Sequence, residues 1–143
     1  MNKILVEVSV GELLDKISIL EIKKEKIKDT EKLKFIQNEY SILKDQLKKN
    51  VETDEKLNQM YQSLKDLNFK LWEIEDDKRK CEKNKDFGER FIQLSRDVHF
   101  LNDNRAKIKL EINNYSGSEI KEIKEYANSV SYTHLTLPTT PYV

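Results

Sequence analysis

The sequence has few residues that interrupt helices and few that build covalent centres. Of 143 residues, three are glycine, two are proline and one is cysteine. This composition is typical of helical bundles and coiled coils, and a single cysteine excludes an intramolecular disulfide framework. No apolar run approaches the roughly 18 residues that span a bilayer. The start of the chain is too short and too soon charged for a signal peptide, so we expect a cytoplasmic protein with no membrane span.

An excess of charge of one sign is also absent. Lysine plus arginine and aspartate plus glutamate number 26 each, which leaves no net charge. Because nucleic-acid-binding proteins usually show a basic excess or a basic face, we predict no nucleic-acid partner. The sequence also lacks zinc-ligand spacing, paired Glu-x-x-His motifs and glycine-rich phosphate loops. We therefore expect neither metal nor cofactor, and no catalytic residue stands out.

Apolar residues recurring at alternating spacings of three and four are the most informative feature present. One stripe comprises Leu57, Met60, Leu64, Leu67, Leu71 and Ile74. A second comprises Phe87, Phe91, Leu94, Val98, Leu101, Arg105, Ile108 and Ile112. Such spacing keeps one face of a helix against a partner helix. The stripes predict a long antiparallel helical hairpin with coiled-coil packing, in which the single thiol of Cys81 continues the first stripe as a packed group.

The remaining patterns predict an all-α fold of four main helices and a short fifth one. The four helices are expected at about 9–28, 31–50, 54–83 and 87–114. Ser9 and Glu12 have the spacing of a capping box, Asp29 or Thr30 caps the second helix, Thr53 the third, and Asp86 the fourth. The apolar spacing of the first helix is interrupted near Asp29 and resumes out of phase in the second helix. The first two helices therefore form either a hairpin or one kinked rod. An apolar arm, residues 3–8, precedes them.

The composition changes abruptly at residue 129. The next ten residues carry no charge, although over one third of the whole chain is charged. This stretch resembles the conceptual translation of a transposon-type sequencing adapter. We therefore predict a single helical domain over residues 1–128 and a non-native, disordered tail over residues 129–143.

Folding the long hairpin about its loop near residue 85 brings polar groups together at mid-height. Arg105 occupies a stripe position, where a charge destabilises the seam unless it is paired. Its expected partners are Asp66, Asn68 or an acid on the first helix. Helix 3 carries a second polar and aromatic face, which the first two helices are expected to cover. The candidate site residues are Asp15, Lys16, Glu21, Trp72, Glu75, Asn102, Asp103 and Arg105. They form either a polar network that fixes helix register or a small-ligand pocket with an aromatic wall.

Three blocks of sequence carry a resemblance to a known family. They are VSVGELLDKISILEIK from Val8, LWEIEDD from Leu71, and NDNRAKIK from Asn102 with Ile112 and Asn113. The chain resembles a bacterial family of short helical proteins classed as a domain of unknown function, over residues 4–127. The resemblance implies a setting near surface-polysaccharide genes and no established activity.

Two functions remain open from the sequence. The first is a non-enzymatic module that self-associates or docks a protein partner from a polysaccharide-biosynthesis cluster. A homodimer is expected, because helix 3 has more apolar surface than one antiparallel partner can bury. The alternative is a helical bundle that binds or acts on a sugar or nucleotide-sugar through the polar set.

Overall fold

The computed structural model describes residues 2–117, and these form an all-α bundle of four helices. The helices are α1 (Val10–Lys26), α2 (Thr30–Asn50), α3 (Glu55–Lys83) and α4 (Glu89–Ser116). The described residues contain no strand. The all-α prediction is confirmed, and every predicted helix end lies within two residues of the observed one. The predicted fifth helix and the tail from residue 129 lie outside the described residues.

The shortest helix, α1, lies at the centre of the bundle. It packs against α2, α3 and α4, while α3 also packs along α4. Its buried residues lie on nearly all sides of the helix: Gly11, Leu13, Leu14, Asp15, Ile17, Ser18, Ile19, Leu20 and Ile22. A helix that is apolar nearly all round needs neighbours on each side. The other three helices supply them.

The structure decides between the hairpin and the kinked rod in favour of the hairpin. The chain leaves the helical conformation between Lys26 and Thr30, and α2 then packs beside α1. Lys24, which interrupts the apolar stripe of α1, places its ammonium 4.0 Å from the centroid of the Tyr40 ring on α2. The apolar stem of this lysine thus crosses the interface while its charge meets an aromatic face.

The predicted stripes supply much of the core. Leu57, Leu64 and Leu71 on α3 are at most 2% exposed, and Cys81 farther along the helix is buried as predicted. Burial of one such leucine stabilises the fold by roughly 1.5–3 kcal/mol. Phe87 is the exception, with 52% of its surface exposed. It precedes the first residue of α4 and therefore lies outside the helix face that packs on α3.

Two of the predicted helix starts are correct. The Ser9 hydroxyl accepts a hydrogen bond from the Glu12 backbone N–H at 3.1 Å. Asp29 caps α2 by accepting from the backbone N–H groups of Glu31 and Lys32. The reciprocal half of the capping box is wrong, because the Glu12 carboxylate turns towards α4 and binds the Lys109 ammonium at 2.6 Å. A cation is a stronger partner for a carboxylate than a neutral amide.

The other two predicted caps are displaced by one or two residues. Asp54, not Thr53, caps α3, since its carboxylate accepts from the Leu57 backbone N–H at 2.8 Å. Gly88, not Asp86, is the cap residue of α4 and makes no side-chain capping bond. The Asp86 carboxylate instead accepts from the Gly88 N–H at 3.2 Å and closes the turn before the helix. None of the described helices is both long enough and apolar enough to cross a membrane.

Candidate functional site

A buried carboxylate on α1, Asp15, binds a buried guanidinium on α4. Arg105 Nε donates to Asp15 Oδ1 at 3.0 Å, and Arg105 Nη2 donates to Oδ2 at 2.5 Å. The two side chains are 2% and 1% exposed. The two parallel bonds match the fork of arginine to the two oxygens of the carboxylate. This geometry fixes both the height and the rotation of α1 relative to α4.

The same carboxylate also binds α3. Asn68 Nδ2 donates to Asp15 Oδ1 at 2.8 Å and to Ser18 Oγ at 2.7 Å. The Ser18 hydroxyl donates in turn to the backbone carbonyl of Asp15 at 2.7 Å. Asn68 and Ser18 are completely buried. One acid therefore joins three helices through directional bonds.

A second buried cation lies one turn farther along α4. Lys109 Nζ is 2.6 Å from the Glu12 carboxylate and 3.8 Å from Asp15 Oδ2. Two cations thus face two acids in a layer closed to water at its centre. We call this set the Asp15 network: Glu12, Asp15, Ser18, Asn68, Arg105 and Lys109.

Gly11 lets the start of α1 touch the backbone of α4 beside the network. Its N–H donates to Asn113 Oδ1 at 2.7 Å. A Cβ at this position would lie 2.5 Å from the Lys109 carbonyl oxygen and 2.9 Å from Asn113 Oδ1. No larger residue fits without separating the helices. The amide of Asn113 satisfies one of the backbone donors that a helix start leaves open.

A second polar cluster lies about two turns farther along α1. The Tyr61 hydroxyl on α3 donates to the Glu21 carboxylate, and Lys65 Nζ lies 3.1 Å from the same carboxylate. We call these three residues the Glu21 cluster. Roughly a quarter of the Glu21 and Lys65 side-chain surface is exposed (24% and 21%). Water therefore screens this cluster far more than the Asp15 network.

The Glu21 carboxylate changes the proton affinity of both partners. Burial is the largest cause of the raised pKa of Tyr61, and the hydrogen bond to Glu21 adds to it. Desolvation lowers the pKa of Lys65, but the hydrogen bond and the charge of Glu21, with help from Glu25, outweigh it and leave that pKa raised. Both groups therefore stay protonated to more alkaline pH than they would in water.

The structure divides the predicted site residues among four environments. Asp15 and Arg105 lie in the Asp15 network, and Glu21 lies in its own cluster. Lys16 is exposed, because α1 turns its side chain away from the helices that cover Asp15. The other four are half-buried: Trp72, Glu75, Asn102 and Asp103.

Two of these half-buried acids have surroundings unlike that of Asp15. The Asp103 carboxylate lies 3.8 Å from His99 Nε2, one turn earlier on the same helix. Glu75 forms no ion pair within residues 2–117. No group of three potential metal ligands occurs in the described part of the chain.

Sequence reasoning left Glu12, Ser18, Lys109 and Asn113 out of the site. Their spacing in the sequence could have indicated them, because residues three or four apart lie on the same face of a helix. Lys109 and Asn113 follow Arg105 at intervals of four, and Glu12 and Ser18 flank Asp15 at intervals of three. Local patterns give Glu12 a role only in the capping box, and they give Ser18, Lys109 and Asn113 no role in the site.

The fold and the site together define an all-α bundle whose interior is crossed by a layer of paired charges. Two of the three sequence blocks that suggested a family, those beginning at Val8 and Asn102, meet in this layer. The chain belongs to a family of unknown function, DUF6165, whose model matches residues 4–139. The matched range includes part of the segment after residue 128, and the non-native tail remains a prediction. Comparisons with curated proteins and with solved structures give no match.

Proposed function

We propose that the protein is a non-enzymatic helical module that self-associates, with a homodimer as its working form. The observation that carries this proposal is the apolar arm before α1. Ile4, Leu5 and Val6 are 90%, 87% and 75% exposed, respectively. Three consecutive large apolar side chains in water favour a contact with another protein surface.

A second apolar surface supports docking of a further partner. Phe91, Ile92, His99 and Phe100 on the outer side of α4 border a shallow depression of about 530 Å³. Ile92 and Phe100 are 55% and 53% exposed.

The proposal includes the bacterial setting near surface-polysaccharide genes, a protein partner from such a cluster and a cytoplasmic location.

The alternative, a bundle that binds a sugar or nucleotide-sugar, has weaker support. A ligand would have to enter between Asp15 and Arg105, which are almost completely buried and already bind each other. Separating a buried ion pair costs several kcal/mol unless the ligand replaces each lost bond. If Asp15 and Arg105 only fix the register of the helices, the two side chains can stay paired.

Sedimentation equilibrium of the full chain from 1 to 100 µM tests the proposal. We expect a mass that rises from that of the 17.0 kDa chain to twice that value. A monomer at 100 µM would contradict self-association. Calorimetric titration with UDP-sugars tests the alternative, and saturable binding that disappears in an Asp15→Leu, Arg105→Met variant would favour it.

A further inference from the structure

The arm before α1 has a pattern that fits a second copy of itself. In an extended strand, successive side chains point to opposite faces. Ile4, Val6 and Val8 would then share one apolar face, while Lys3, Leu5 and Glu7 would share the other. The residues from Asn2 to Val8 form no helix or strand within the described chain. Their backbone also makes no hydrogen bond to the rest of residues 2–117.

We infer that the arms of two copies pair as an antiparallel two-stranded ribbon centred on Leu5, with Lys3 of each copy opposite Glu7 of the other. This inference rests on the proposed self-association, and it identifies the ribbon as the interface of the dimer. In this register Leu5 faces its own counterpart, and Ile4 faces Val6. Every charge meets an opposite charge, and the apolar residues from Ile4 to Val6 meet one another, while Val8 lies opposite Asn2 at each end.

Other registers lose this match. Centring the ribbon on Val6 places Leu5 opposite Glu7, and centring it on Ile4 places Lys3 opposite Leu5. A shift by one residue would also exchange the two faces. A parallel, in-register pair sets Lys3 against Lys3 and Glu7 against Glu7, and like charges directly opposite each other destabilise a sheet. Charge complementarity therefore favours the Leu5-centred antiparallel pair.

The arm cannot cover the apolar surface of its own α4 near Ile92. Gly11 contacts Asn113, so the arm leaves the bundle close to the end of α4. Asn113 lies 21 residues beyond Ile92, about 31 Å along the helix. The extended chain from Ser9 back to Ile4 spans at most about 18 Å. The arm and this surface of its own chain therefore stay apart, and a second copy of the arm is a partner that its alternating pattern matches.

The expected dimer is weak. Two short arms bury less than the roughly 1,200–2,000 Å² of a standard stable interface. We therefore expect a Kd in the micromolar range, sensitive to the two Lys3–Glu7 pairs.

Exchange of charges tests the register in the full chain. Glu7→Lys sets like charges against each other at both ends of the ribbon, and we expect the dimer Kd to rise about tenfold. Lys3→Glu should act alike, while the double variant Lys3→Glu, Glu7→Lys should restore the original Kd. Glu39→Lys, an exposed change of the same charge on α2, is the matched control and should leave the Kd unchanged.

Disulfide crosslinking tests the position of the two-fold axis. In a Cys81→Ala background, Leu5→Cys should form a crosslinked dimer on mild oxidation, because directly opposite Cα atoms lie about 4.5–5.5 Å apart. Ile4→Cys is the matched control, since its counterpart lies diagonally at about 8 Å, beyond disulfide reach. We expect crosslinking at least tenfold faster at position 5.

The outcomes separate this inference from the proposed function. If the unaltered chain dimerises but the charge variants keep its Kd and both cysteines crosslink equally, the ribbon is wrong and self-association stands. A triple variant tests the arm as a whole. If the dimer stays intact in Ile4→Asn, Leu5→Asn, Val6→Asn, the arm is not its interface. If the unaltered chain is monomeric at 100 µM, both proposals fail.

Discussion

The two polar groups on α1 contain similar chemistry in different surroundings. In each, an acid on α1 binds a cation and a neutral donor. The partners of Asp15 come from α4 and α3, whereas both partners of Glu21 come from α3. Asp15 and its cation Arg105 are at most 2% exposed, whereas Glu21 and Lys65 keep about a quarter of their side-chain surface in water. Burial raises both the strength of each bond and the cost of leaving one unmade. The Asp15 network should therefore control helix register, and the Glu21 cluster should tune stability.

Removing the Asp15 carboxylate should have the largest effect. Asp15→Ala leaves Arg105 buried without its acid, and breaking a buried pair from one side costs about 3–5 kcal/mol. Urea denaturation should show this loss of unfolding free energy. Asp45→Ala, which breaks the exposed pair with Lys49 on α2, is the control and should change stability by less than about 0.5 kcal/mol. Equal effects would remove the distinction between buried and exposed pairs.

The close contact beside the network should be the next most sensitive. Gly11→Ala forces a Cβ against the Lys109 carbonyl oxygen, and such overpacking costs about 1–3 kcal/mol. Gly88→Ala is the matched control, because only the Asp86 carboxylate approaches its Cβ, at 3.4 Å. Thermal unfolding should show a much larger fall in Tm for Gly11→Ala than for Gly88→Ala, whose only expected cost is the poorer capping of α4 by alanine. An unchanged Tm for Gly11→Ala would mean that α1 and α4 separate at little cost.

The Glu21 cluster should respond less and in a pH-dependent way. Tyr61→Phe removes the hydrogen bond to Glu21 and should cost about 1 kcal/mol at neutral pH. The pKa of Tyr61 is raised on folding, so its contribution is full below about pH 10 and is lost as the pH rises through the folded-state pKa. Denaturation above pH 10 should therefore show a steeper fall for the unaltered protein than for Tyr61→Phe. Parallel curves would contradict this linkage.

Replacing both partners of the buried pair should have the smallest effect. In Asp15→Leu, Arg105→Met, apolar side chains occupy the seam, and exchanges of this kind are often neutral or stabilising. Asn68 keeps Ser18 Oγ as an acceptor, and Lys109 keeps Glu12. We expect an unfolding free energy close to that of the unaltered protein and far above that of Asp15→Ala, measured alongside it. A loss as large as that of Asp15→Ala would show that the network stabilises the bundle as well as fixing its register.

The helices could be predicted from local signals, and so could the need for a partner of Arg105. The apolar stripes and the capping residues depend on residues that are close together in the chain, so their patterns are visible in the sequence. Arg105 on a stripe requires an acid, and an acid on the first helix was among the expected partners. The choice of Asp15 depends on how α1 fits between α3 and α4, across 90 residues of chain.

The rest of the site depended on contacts that local patterns do not contain. Lys109 and Glu12 look like surface residues until the helices meet, because neither interrupts or extends an apolar stripe. Gly11 looks like a neutral position inside a capping box, and only the approach of α4 shows why no Cβ fits there. The exact cap residues of α3 and α4 were also missed, although only local contacts decide them. Several residues that can cap a helix lie next to each other around Asp54 and Asp86, and the sequence pattern does not show which of them is used.

The central place of α1 has a consequence for synthesis. Among the four described helices α1 leaves the ribosome first, whereas its neighbours α3 and α4 follow only after α2. About 90 residues separate Asp15 from Arg105, and at roughly 5–20 residues per second the ribosome needs about 5–18 seconds to make them. Until α3 has been made, only α2 can shield the apolar sides of α1. The nascent chain therefore passes through a stage in which its future core is open to chaperones, and the α3–α4 pair closes it once both helices have been made.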